Sequence, residues 1–234
     1  MAYHSTFQPL KVTAHLRTGI VADRWLPLDA LIWYQAHRAQ LGPQVATLPG
    51  GQTQDHKVSI PLKVNHPGED NWYFACSWAH PQPWWAAEGT DHWNKRIDSQ
   101  MIDLIDFAGR RGKVIIEQGK YKAYHMPIFY RVAERIEWYC FGDKEEIEAL
   151  LCTMTHIGKK AAQGWGRVVR WVVEPWVEDW SVWRDGHLTR GVPEQDMLEL
   201  IRQNEQFAPF DVMNYGLRPS YYRHSNQRRL AIPG

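Results

Sequence analysis

The periodicities of this 234-residue chain predict an α+β fold built on a ferredoxin-like (RRM-like) β-α-β-β-α-β core with a glycine-rich loop. Three observations carry that expectation. Residues 10–20 alternate apolar and polar, and residues 28–39 then repeat at helical spacing. An acidic, capped helix pattern at 143–155 runs straight into three glycines within nine residues. A β-rich run at 167–173 leaves that loop.

Taken in order, Leu10, Val12, Ala14 and Leu16 fall on one side of the first strand, with Lys11, Thr13, His15 and Arg17 on the other. A turn over 19–27 carries Arg24 and Trp25. Pro27 and Asp29 suit the start of a helix, where the missing N–H is harmless and negative charge meets the helix dipole. Leu28, Leu31, Ile32 and Ala36 then form its apolar stripe. Residues 41–68, rich in Gly, Pro, Gln and His, read as an excursion with one short strand near 57–64. Residues 71–79 are aromatic and β-prone, and Pro81 and Pro83 are expected to end that strand. From 84 to 113, Trp84, Trp85 and Trp93 interleave with His92, Lys95, Arg96, Arg110, Arg111 and Lys113, with room for a short helix within 97–107. A short strand at 113–116, a basic turn with Lys120 and Lys122, and a long strand-like run at 126–141 bent near Glu134 and Arg135 follow.

Asp143 is placed to cap the next helix, with Glu146 three residues later, and Ile147, Leu150, Leu151 and Met154 share one face. Pro175 stops the strand after the loop. Residues 177–185 are acidic and Trp-rich, 193–204 fit a short amphipathic helix, and the last twenty residues hold Arg218, Arg223, Arg228 and Arg229 with no acid. The expected organisation is a body over 1–175, with a thumb-like arm inserted at about 80–125. A C-terminal extension over 176–234 would pack on that body or on partner subunits.

A net charge of +1 means that any polyanion must be met by a local basic face rather than by the whole chain. Thirteen Trp and ten Tyr supply core mass and also stacking platforms for bases. Three isolated cysteines argue against a disulfide framework or a zinc site, and the chain shows no apolar run of membrane-spanning length. A cytoplasmic protein without a metal or other cofactor is the expectation, with no membrane among its partners.

The loop 156–169 concentrates the chemistry. Gly158, Gly164 and Gly166 free the backbone for positive φ and for close approach of a large ligand. Lys159, Lys160 and Arg167 add cations, and Gln163 and Trp165 lie between them; backbone amides plus cations point to phosphate. The loop is neither a Walker motif, since no Gly-Lys-Ser/Thr ends it, nor a dinucleotide fingerprint, since it follows a helix rather than opening one. A tight helix-to-strand turn with surface lysines is the plain alternative. The arm residues Trp93, Lys95, Arg96, Arg110, Arg111, Lys120 and Lys122 suit a single strand, with a solvated satellite core as the alternative. His15, His156, Lys159 and Tyr34 are the residue types that a metal-independent ribonuclease needs, and histidines that merely contact RNA or cap a loop are the simpler reading.

The segment IGKKAAQGWGRV at 157–168 resembles the glycine-rich signature of the RAMP superfamily of CRISPR-associated proteins. With the opening strand, its basic turn and the PLDAL start of the first helix at 27–31, it resembles the type IV CRISPR effector subunit of the fifth Cas family. The resemblance implies a non-catalytic subunit that clamps the repeat-derived 5′ handle of a guide RNA (crRNA) in a ribonucleoprotein. It would cap a filament of backbone subunits beside the large subunit and meet target DNA only through the guide. RNA-facing candidates are Gly158, Lys159, Lys160, Gln163, Gly164, Trp165, Gly166 and Arg167. His15, Arg17, Arg24, Trp25 and the arm residues extend the set. The alternative is an endoribonuclease that processes precursor guide RNA through His15 or His156.

Overall fold

In the computed structural model, which describes residues 7–42, 58–96, 122–204 and 206–234, the alternation of the first strand does what it predicts. Leu10, Val12 and Ala14 of β1 (Gln8–Leu16) are buried in the main core. β1 is central because its neighbours supply matching apolar rows: Val12 sits opposite Trp138 of β7 (Arg135–Gly142) and opposite Val173 of β8 (Val168–Pro175). The sheet order is β4-β7-β1-β8, with β4 (His80–Gln82) at one edge and every pairing antiparallel. Helices α1 (Leu28–Leu41) and α2 (Lys144–Leu151) close one face of this sheet. Leu28, Ile32 and Ala36 of the first and Ile147 and Leu151 of the second join the same apolar cluster. The Asp143 side chain accepts the Glu146 N–H at 3.0 Å, as its capping position predicts.

A second layer is built from the extension. β11 (Val192–Pro193), β13 (Gln227–Pro233) and β12 (Phe210–Gly216) form a three-stranded sheet backed by α3 (Glu194–Gln203). Its core takes Tyr73 and Trp78 from the segment between α1 and β4 together with Leu188, Val192, Met197, Leu217 and Leu230. Two short pairs stand apart from these sheets: β2 (Val64–Asn65) with β3 (Tyr73–Phe74), and β9 (Trp183–Arg184) with β10 (His187–Leu188). The chain is thus a mixed α and β protein with mainly antiparallel sheets and three described α-helices.

Several sequence expectations are corrected. Pro81 does not end a strand; it lies within β4, opposite Ile136, at a sheet edge where its missing N–H breaks no ladder bond. The stretch from 84 to 95, which carries no strand signal in the sequence, holds a long strand. β5 (Ala87–Lys95) pairs over nine residues with β6 (Tyr124–Val132) in a long hairpin. Both faces of β5 are largely solvated, so its sequence AEGTDHWNK shows no apolar alternation. The strand expected near 57–64 shrinks to β2 and a bridge from Leu62 to Gly142. The run at 126–141 is two strands, β6 and β7, broken at 133–134 near the expected bend. Asp29 stands in the first turn of α1 as expected, and it is fully buried there. The helix expected within 97–107 and the strand at 113–116 lie outside the described residues.

Candidate nucleic-acid interface

Three segments distant in sequence meet at the open end of β1. The loop closes on itself through Ile157 N–H to the Gly166 carbonyl at 2.9 Å and a bridge between His156 and Arg167. It is then laced to the turn that follows β1. Gly166 N–H donates to the Gly19 carbonyl at 2.8 Å, Lys159 N–H to Val21 at 2.6 Å, and Arg17 N–H to Arg167 at 2.8 Å. The Thr18 hydroxyl donates to the Gly164 carbonyl at 2.9 Å and accepts from Arg167 N–H at 3.0 Å. The foot of the hairpin joins through reciprocal bonds between Ile20 and Arg131, and the Trp165 ring stacks on Tyr130 at 4.6 Å.

The glycines divide by role. A Cβ on Gly166, at φ +68°, would land on the Ile157 carbonyl, so this glycine serves the protein's own closure. Gly164, at φ +88°, faces open space and is the place where a ligand can approach the main chain. Lys160 takes the left-handed region without being glycine, at φ +65°. That conformation costs about 1–2 kcal/mol for a residue with a Cβ. It holds the Lys160 ammonium 5.8 Å from the centre of the Trp93 ring, so loop and hairpin meet through a cation and an indole.

Lys160, Arg167 and Arg17 are exposed here and form no ion pair among the described residues. Lys159 is partly neutralised by Asp23 at 2.8 Å, and Arg131 by Glu88 at 2.7 Å. Beside them, a cleft of about 440 Å³ opens between the turn and the hairpin, lined by Ile20, Ala22, Glu88, Phe129, Tyr130 and Arg131. The Phe129 ring at its rim is 72% exposed.

The sheet face opposite the helices continues the site. Lys11, Thr13 and His15 point to it from β1, as do Arg135, Glu137 and Tyr139 from β7. At one end the face is covered, because Tyr139 packs edge-on against Trp180 at 4.9 Å and the Lys11 ammonium lies 4.6 Å from the Trp176 ring. At the other end His15 sits 3.4 Å from an Arg170 nitrogen, with the Arg135–Glu137 pair opposite. Burial, then the charges of Arg170 and Arg135, hold the His15 imidazole below its ordinary pKa, so it is neutral at pH 7.

The structure brings His15, Arg17, Trp93, Lys159, Lys160, Gln163, Gly164, Arg167 and the loop glycines to one region. Two tryptophans are placed differently from expectation. Trp25 is half-buried against Trp78 at 4.7 Å with the Arg24 guanidinium over it, and Trp165 has one face on Tyr130, so neither ring is a free platform on both sides. Lys95, Arg96 and Lys122 lie beyond Trp93 at the end of the hairpin away from its Ala87–Val132 foot. Arg110, Arg111 and Lys120 lie outside the described residues. His156 shares a hydrogen bond with Thr155 at 3.0 Å. Tyr34 is on α1, so the sheet separates it from His15. Phe129, Tyr130, Arg131, Arg135 and Arg170 were not among the site residues read from sequence. Strand pairing alone brings them here, although the Phe-Tyr-Arg order within β6 was a readable sign of an aromatic-basic strand.

Among the described residues no helix is long and apolar enough to cross a membrane, and no three His, Cys, Asp or Glu side chains cluster as metal ligands. The model of the family described as CRISPR type IV associated protein Csf3 matches residues 8–210. No curated protein matches the chain.

Proposed function

The chain belongs to the family of CRISPR type IV associated protein Csf3, and from that premise we propose that it is the guide-RNA-binding subunit that holds the repeat-derived 5′ handle of the crRNA. The observation that carries this reading is the lacing of the glycine loop to the turn after β1 and to the hairpin foot. It sets Lys160, Arg167 and Arg17 on one exposed side, next to an open backbone at Gly164. Guanidinium, ammonium and free main chain suit phosphates, and the Trp93 and Phe129 rings suit bases.

The fold reading that goes with it is a ferredoxin-like core. Its support is the sheet order β4-β7-β1-β8, in which strands two, three, one and four of a β-α-β-β-α-β unit lie side by side, with α1 and α2 on one face. The β5–β6 hairpin is then the inserted arm of a body over 1–175, and 176–234 is its extension. Backbone and large subunits of a type IV effector complex are the protein partners in this reading, target DNA is met through the guide, and the complex works in the cytoplasm.

Filter binding of a repeat-derived RNA at fixed salt tests it. Lys159→Glu with Lys160→Glu reverses two charges at exposed positions, and we expect affinity to fall at least tenfold while the protein stays folded at the assay temperature. Unaltered affinity would remove the loop from the site. A neutral His15 between two arginines also favours, more weakly, a metal-independent endoribonuclease. Precursor RNA cut in EDTA by the unaltered chain but not by His15→Ala would decide for that activity.

A further inference from the structure

The terminal arginines have no part in the site above. We propose that the loop joining β12 to β13 is a second nucleic-acid contact, which takes the phosphate backbone of a strand that has passed the glycine loop. From residue 212 to the end the chain carries Arg218, Arg223, Arg228 and Arg229 and no acid. The loop is closed on itself. Leu217 N–H donates to the Asn226 carbonyl at 2.9 Å, Arg223 N–H to Ser220 at 3.0 Å, and the Asn226 amide to Pro219 at 3.1 Å. Tyr222, Arg223 and His224 are thereby held at an exposed tip, with the Tyr222 ring 70% exposed.

Behind the tip two guanidiniums are fixed side by side. Arg218 lies over the Trp72 ring at 4.4 Å and donates to the carbonyls of Asp70 and Trp72 at 2.8 and 3.0 Å. Arg228 donates to the same Asp70 carbonyl at 3.4 Å and to the Asn71 side chain at 3.2 Å. Neither forms an ion pair among the described residues, while Arg229 is paired with Glu194 at 2.8 Å. The Asp70 carboxylate is the acid whose charge favours the Arg218 cation, and burial and Arg228 both oppose it. Adjacent cations on carbonyl dipoles are stabilised when an anion arrives.

A row of rings connects this loop with the turn after β1. Lys159 in the glycine loop is paired with Asp23, and the neighbouring Arg24 covers Trp25 at 4.3 Å. Trp25 meets Trp78 at 4.7 Å, Trp78 meets Tyr215 at 5.6 Å, and Tyr215 meets Tyr221 at 6.2 Å, one residue from the tip. Trp78 is buried, so the row ties the tip through the interior to the turn that holds the glycine loop, and Arg24 stands exposed at its start. A basic loop without acids, and an exposed ring for a base, favour nucleic acid over an acidic protein segment. The inference rests on the proposed guide-RNA site for the strand it takes, and on the loop itself for the chemistry.

Changing Arg218 or Arg228 also removes bonds that hold the 70–72 segment, so the test uses the tip. Fluorescence anisotropy of a labelled single-stranded RNA and of a DNA duplex, each titrated with salt, is measured for three full-length chains. These are the unaltered protein, Tyr222→Ala with Arg223→Gln, and Lys159→Glu with Lys160→Glu. With each chain compared well below its melting temperature, we expect the tip variant to bind several-fold more weakly and to lose about 0.7 from the log–log salt slope on a single strand or about 0.9 on a duplex. Whichever probe shows the loss names the source of the phosphates. Unchanged affinity and slope for both probes in the tip variant overturn the inference, whatever the loop variant does. Loss in the tip variant beside an unaffected loop variant keeps this contact and overturns the glycine-loop reading.

Discussion

At the scale of single residues, Lys160 is the most telling position. It pays a conformational cost at φ +65° and places its ammonium against Trp93, at the meeting of loop and hairpin. If the strain is retained for binding, stability and affinity should separate at this residue. Lys160→Gly relieves the left-handed strain and removes the cation, while freeing the unfolded chain partly offsets the gain. The expected outcome is a melting temperature equal to or slightly above that of the unaltered protein, together with RNA affinity lowered about tenfold. A loss of both would mean that the lysine side chain holds the loop together. Gly166 is the opposite case: its lack of a side chain serves closure of the loop on Ile157, which no sequence motif distinguishes from closeness to a ligand.

At the scale of elements, β4 shows how a short edge strand carries a titrating group into the protein. His80 pairs opposite Glu137, its ring lies 5.8 Å from Tyr139, and its Nε2 is buried without a hydrogen-bond partner. Burial, then the charge of Arg184, lowers its pKa from 6.5 to about 4, against the smaller opposing effect of Glu137. Above pH 6.5 the imidazole is neutral in both folded and unfolded chains. As pH falls from 6.5 towards 4, the unfolded chain takes up a proton that the folded chain refuses, so stability is lost on acidification. The slope approaches about 1.4 kcal/mol per pH unit, and the whole effect is roughly 3 kcal/mol at pH 4. Urea unfolding at pH 7 and pH 4.5 should therefore show a smaller acid loss for His80→Leu than for the unaltered protein. Equal losses would place the acid sensitivity elsewhere.

Legibility in the sequence also sorts by element. β1, α1 and α2 were readable because each buries one face and so carries a period, β8 was readable as a β-branched run, and the Asp143 cap added a local start signal. β5 was not readable, because a hairpin solvated on both faces needs no apolar alternation and is held by its pairing with β6. β12 and β13 escaped notice for a related reason. β12 is largely exposed along its length, and the burial of Leu230, Ala231 and Ile232 of β13 depends on Tyr73 and Trp78 from far upstream. The glycine loop was visible as a motif, but its partners Thr18, Tyr130 and Arg131 are brought to it only by tertiary pairing.

At the scale of the whole molecule, the extension and the body are locked by charge buried between them. Arg190 is 1% exposed and Asp29, at the start of α1, is fully buried; they lie 3.9 Å apart. The guanidinium also donates to the carbonyls of Phe74, of Cys76 at 3.1 Å and of Leu217 at 2.7 Å. Asp29 in turn accepts the Tyr221 hydroxyl at 2.6 and 2.8 Å on its two oxygens. Arg190 and Tyr221 come from the extension, and Asp29 from the helix that covers the main sheet, so the two cores form as one unit. The sequence PLDAL suggested a carboxylate serving the helix dipole; only the fold shows that it answers an arginine some 160 residues downstream. Removing one partner strands the other without solvent, whereas exchanging both for neutral groups does not. Arg190→Met should therefore destabilise the protein by about 3–5 kcal/mol, and Arg190→Met combined with Asp29→Asn by clearly less. Chemical denaturation of the two variants checks this. A double variant that loses as much as Arg190→Met or more would mean that Arg190 acts through its carbonyl partners alone and that the ion pair contributes nothing. A single unfolding transition, shared by tryptophan fluorescence and far-UV dichroism, is expected of the unaltered chain, because an element that anchors α1 cannot melt without releasing the main core.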